Sequence, residues 1–140
     1  MADTLTPAQR KKTMAAIKGV NTQPELKVRK ALHRMGYRFR LHSKQLPGKP
    51  DIVMRKYRLC IFVHGCFWHQ HQNCKRASIP KTNVKFWQEK LDANVRRDTA
   101  SMEKLKQLGW NVGVVWECEI TTDDTLHAAI ERCLNLVGVD

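Results

Sequence analysis

A chain of 140 residues has room for one domain around a single core. No apolar run reaches the length of a membrane span, and the N-terminus lacks the basic-then-apolar order of a signal peptide, so a soluble cytoplasmic protein is expected. The net charge of +12 resides entirely in residues 1–60, with 15 Lys/Arg against 3 Asp/Glu, while residues 61–140 hold 10 of each; such a block favours phosphate contacts through counterion release and puts nucleic acid ahead of an anionic membrane.

Thr6-Pro-Ala-Gln opens a helix, with Thr as N-cap and Pro at N1, that Gly19 ends. It is basic and thinly apolar, with Met14 and Ile17 as its main anchors. It can dock on the body as an ordinary helix or lie along a partner. Thr22-Gln-Pro-Glu25 repeats the capping pattern for a second helix, which Gly36 stops. Glu25 either answers the helix dipole and cap or faces the active site.

Tyr37–Leu41 alternates as a half-buried strand, Leu46–Pro50 forms a rigid loop, and Asp51–Met54 is a second strand. Arg55–Arg58 turns the chain into Leu59–Val63, a third strand that is apolar throughout and therefore central. Thr82 or Asn83 caps a long helix with an apolar stripe of Trp87, Leu91, Val95, Met102, Leu105 and Leu108, ended by Gly109. Trp110–Trp116 reads as a fourth, buried strand, and Thr122–Val137 as a last helix. The expected fold is α/β: a mixed four-stranded central sheet with helices on both faces. The helix between the third and fourth strands acts as a crossover and requires a parallel pair. Within this single 1–140 unit, residues 1–19 form the N-terminal helix, 64–80 a zinc-stapled loop and 121–140 the C-terminal helix.

The densest chemistry lies between Pro50 and Cys74. Cys66, His71 and Cys74 have the loop spacing of tetrahedral zinc ligands, and Cys118, just past the fourth strand, can complete a closed structural Cys3His site. Three ligands alone would leave an open, catalytic position. Cys60 and Cys133, in apolar surroundings, read as buried structural thiols. His64 ends the third strand, and Asp98 is the lone acid on the expected buried stripe, where an unpaired carboxylate is costly, so a His64–Asp98 pair favouring the imidazolium is expected. His69 is then a candidate general base. Asp51 can hold Mg2+ together with phosphate oxygens, water and the carbonyl of Val63.

Pro50-Asp51 followed by a third strand, in a helix, three strands, helix, strand order, resembles the PD-(D/E)XK nuclease core, although Phe62-Val63-His64 stands where that core carries an acid and then a lysine. Pro-Gly-Lys-Pro-Asp51, Phe-Val-His64-Gly-Cys-Phe-Trp-His69, Phe86-Trp87, Asn94-Val-Arg-Arg-Asp98, Leu-Gly-Trp110 and Val-Trp-Glu-Cys118 are similar to the very short patch repair (Vsr) DNA mismatch endonucleases, over most of the stretch from Arg10 to Cys118. The resemblance implies a restriction-endonuclease-like αβββαβ core and a Mg2+-dependent nick 5′ of the thymine in a T·G mismatch in double-stranded DNA. It matches Asp51 to the metal aspartate, His64 and His69 to the catalytic histidines and Asp98 to the histidine-pairing aspartate. Glu25 matches an acid that reaches the metal through water, and Cys66, His71, Cys74 and Cys118 match the structural zinc ligands. It makes Phe67, Trp68 and Trp87 aromatics that enter the base stack, with Met14 entering from the opposite groove. Val63 stands where a threonine is usual. A monomer acting at the nucleoid is implied, with mismatch-repair or polymerase proteins as candidate partners. The rival expectations are a non-catalytic zinc-stapled module that binds and bends DNA, and a standard restriction endonuclease that cuts paired DNA.

Overall fold

The computed structural model describes residues 22–138; the expected N-terminal helix and Met14 lie outside the described residues. Thr22 accepts the backbone N–H of Glu25 through its hydroxyl and so caps α1, Gln23–Arg34, with Pro24 in its first turn. Four strands follow the expected order: β1, Arg40–Leu41; β2, Ile52–Met54; β3, Leu59–His64; and β4, Asn111–Trp116. Between β3 and β4 runs α2, Val84–Gln107, and α3, Asp123–Asn135, follows β4.

The sheet order is β1-β2-β3-β4, antiparallel through the first three strands and parallel between β3 and β4. The parallel pair that the crossover helix required is therefore present. Alternation along the strands separates two cores. Ile52, Met54, Leu59, Ile61 and Val115 face α1 and α3, and pack with Val28, Leu32, Ile130 and Leu134. Val53, Cys60 and Phe62 face the other way and pack with Leu105 and Trp110. Helices thus cover both faces. Gly113 lets α3 come close, since a Cβ there would stand 2.6 Å from Cys133 Sγ. Cys60 and Cys133 are both buried in these cores, as expected of structural thiols.

Three expectations need correction. The strand over Tyr37–Leu41 shortens to Arg40–Leu41. β4 is only partly buried because, among the described residues, it is a sheet edge with no strand beyond it. The apolar stripe of α2 is broken: Leu91 and Leu105 are fully buried, but Val95 is 37% exposed and Leu108 is 55% exposed. The middle of this helix faces loops rather than core. Asn94 donates to the Trp68 carbonyl at 3.2 Å, Asp98 bonds a histidine, and Ser101 packs against Gly48. Residues 94, 98 and 101 have helical spacing, so one polar face of α2 clamps both the loop after β3 and the loop before Asp51.

Among the described residues, no helix is long and apolar enough to cross a membrane.

Candidate active site and metal centre

The alternation that buries Cys60 and Phe62 under α2 also turns His64 to that face, where it is 3% exposed. Its ring lies flat against that of His69, with centroids 3.8 Å apart and planes 6° from parallel. Asp98 binds the second of these rings. Its Oδ2 is 2.6 Å from His69 Nδ1, whereas His64 Nδ1 has no hydrogen-bond partner among the described residues. The expected His64–Asp98 pair is thus replaced by His69–Asp98, because Asp98 occupies the loop-facing part of α2, beside His69.

The charge state of His64 changes accordingly. Burial, with His69 adding to it, pushes the His64 imidazole down to about 3 against the smaller opposing pull of Asp98, so the ring is neutral near pH 7 rather than an imidazolium. His64, His69 and Asp98 each have a ligand atom within 4.8 Å of the others. Parallel stacked rings, however, cannot both direct an in-plane lone pair at one ion, so the trio is better suited to proton transfer than to holding a metal.

Asp51, 8% exposed, stands at the start of β2 and accepts the backbone N–H of Val63 at 2.8 Å. Its carboxylate therefore lies next to the residue that precedes His64. Burial raises the Asp51 carboxyl to about 8, with the neighbouring Glu25 adding and the Val63 N–H and Arg29 opposing. Glu25 is 1% exposed, and its carboxylate is directed to Arg29, His42 and Asp51. Of the two readings of Glu25, the structure favours the one that faces the site, while its backbone N–H still completes the cap. Two buried carboxyl groups side by side form a donor set suited to a hard divalent cation. Sequence reasoning missed His42 and Arg29. Arg29 could have been found one helical turn after Glu25; His42 carries no such signal.

Cys66, His71, Cys74 and Cys118 bring four ligand atoms within 4.8 Å of one another. Sγ of Cys118 is 3.4 Å from Nδ1 of His71, and the Cys118 N–H points to Cys66 Sγ at 3.4 Å. The 3-10 turn Glu117–Ile120 after β4 delivers Cys118 to the loop that follows β3, as the parallel pairing allows. His71 stacks on Trp116 at 4.1 Å, which fixes its ring. Burial pushes the Cys66 thiol up to about 12, with the sulfurs of Cys118 and Cys74 contributing. Burial acts upward on the Cys74 thiol too, but hydrogen bonds from Arg76, Cys66 and Cys118 outweigh it and lower that thiol instead, and three sulfurs with one nitrogen fit tetrahedral zinc.

Phe67, Trp68 and Trp87 form one cluster, with centroid separations of 5.1, 5.5 and 6.0 Å. All three are half-buried, beside the exposed Lys85 and a 54% exposed Phe86.

Comparison with known proteins finds relatives along nearly the whole chain. The family model described as DNA mismatch endonuclease Vsr matches residues 2–76. The type II nicking enzyme V.XorIIP of Xanthomonas oryzae pv. oryzae is 45% identical over 135 residues, covering 96% of this chain and 98% of that protein. V.NmeAIP of Neisseria meningitidis, another type II nicking enzyme, is 44% identical over 132 residues, 94% of each chain. The DNA mismatch endonuclease Vsr of Escherichia coli K12 is 42% identical over 137 residues, 94% of this chain and 87% of its own. With a family model over more than half its length and relatives of this identity along nearly all of it, the chain belongs to the Vsr DNA mismatch endonuclease family.

Proposed function

We propose that the protein nicks one strand of duplex DNA 5′ of the thymine in a T·G mismatch by hydrolysing a phosphodiester. The observation that carries the reading is the His69–Asp98 pair stacked on His64, beside the buried Asp51 and Glu25. Asp98 holds His69 by Nδ1, which leaves Nε2 to take a proton from the attacking water. His64, neutral in the free chain, offers one ring N–H toward the leaving oxygen, and a bound phosphodiester anion favours its charged form.

Asp51 and the Val63 carbonyl would hold Mg2+, with Glu25 reached through water; when bound, Mg2+ stabilises charge on the phosphate oxygens. Zinc held by Cys66, His71, Cys74 and Cys118 would shape the loop and take no part in the chemistry. The Phe67, Trp68 and Trp87 cluster supports mismatch selectivity, since an imperfectly paired step costs less to unstack than a paired one.

A labelled T·G duplex and its paired control, incubated with the protein and Mg2+, test the reading. A nick in one strand of the T·G duplex only is expected. Binding without cleavage would instead favour a DNA-bending module, and cutting both strands of paired DNA a restriction endonuclease.

A further inference from the structure

Glu25 is almost wholly enclosed, yet two basic side chains from different elements converge on its carboxylate. Arg29, one turn along α1, donates to Oε2. His42, from the loop after β1, places Nε2 2.9 Å from both oxygens. A carboxylate beside a guanidinium can only accept, so Nε2 of His42 carries the donated hydrogen. The His42 backbone is committed as well. It adopts φ 47°, a left-handed conformation rare outside glycine, and its N–H donates to the Asp51 carbonyl at 3.1 Å. One residue thus ties the backbone of Asp51 to the carboxylate of Glu25. The ligand atoms of Glu25, His42 and Asp51 all fall within 4.8 Å of one another.

We propose that His42 and Arg29 are positioning residues that hold the Glu25 carboxylate against Asp51, and so set how tightly this carboxylate pair takes a divalent cation. Neither touches the reacting atoms. Their donors fix the direction of the Glu25 oxygens and offset the repulsion between two enclosed carboxylates, as outer partners do for ligands in metal sites generally. His42 is the more informative of the two, because its side chain is 24% exposed and its removal leaves both cores untouched.

The inference rests on the proposed metal role of Asp51, but it is read without DNA. Mn2+ binding to the full zinc-loaded chain, followed by electron paramagnetic resonance, should weaken about tenfold or more in His42→Ala. His42→Gln, whose amide can donate one hydrogen bond to Glu25, should recover most of the affinity, and Arg29→Ala should weaken binding where Arg29→Lys weakens it less. In the Glu25→Gln background, His42→Ala should add little, because the two act through one contact. The Mg2+ concentration for half-maximal nicking by His42→Ala, His42→Gln, Arg29→Ala and Arg29→Lys should follow the same order. Unchanged Mn2+ affinity in His42→Ala, an undiminished effect in the Glu25→Gln background, or no Mn2+ binding by the unaltered chain would each overturn the proposal. Absent nicking with the Mn2+ pattern intact would overturn the activity and leave the positioning role standing.

Discussion

Asp98 approaches His69 to 2.6 Å through Nδ1, while His64, stacked on the same ring, keeps its own Nδ1 unbonded among the described residues. The two histidines therefore differ in hydrogen bonding despite their contact. Asp98→Asn should preserve the fold, since its side chain is 25% exposed, and should lower the nicking rate about 100-fold or more by removing the support for a protonated His69. Single-turnover nicking at saturating Mg2+ measures this. A rate within a factor of a few of the unaltered protein's would remove Asp98 from the proposed mechanism.

Asp51 gives the protein a pH-dependent stability. Its carboxyl is raised from 3.8 to about 8, so the metal-free folded chain retains a proton there that the unfolded chain releases. Stability should consequently fall as pH rises between these values. His64 acts in the opposite sense: lowered from 6.5 to about 3, it costs stability as pH falls below 6.5. Thermal denaturation between pH 6.5 and 8, with zinc retained and no Mg2+, isolates the first effect. Asp51→Asn should flatten the slope, and an identical slope in that variant would assign it to another group.

The four-ligand cluster should hold about one zinc per chain. Cys118→Ser should lose that zinc and lower the melting temperature, because Cys118 joins the end of β4 to the loop after β3. Asp51→Ala and His69→Ala should abolish nicking and keep the zinc. Elemental analysis beside the nicking assay separates these outcomes, and full zinc content in Cys118→Ser would refute the assignment.

Trp68 touches both Phe67 and Trp87. Replacing it with Ala should cost about 1–3 kcal/mol of binding to a T·G duplex, the scale of one stacked base, and much less to paired DNA. Equal losses on both duplexes would mean that the cluster serves general affinity.

The sequence revealed those parts of the site that are local or rest on alternation. Cys66, His71 and Cys74 share one loop, and His64 falls on the α2-covered face by strict period two from Cys60. Crossover logic brought Cys118 to them. What escaped was decided by long-range packing. Asn94 and Ser101 on α2 look like surface residues until the loops they hold are in place, and that hidden face moved Asp98 from His64 to His69. His42 lies 17 residues from Glu25 in a loop without regular spacing, so nothing local announces their contact.

The four candidate zinc ligands also span the fold. Three stand on one loop, but Cys118 is separated from them in sequence by α2 and β4 and reaches them through the pairing of β4 beside β3. Loop closure over that distance must precede full coordination. An ion held by all four residues would therefore fasten the end of β4 to the loop after β3 and favour the assembled sheet.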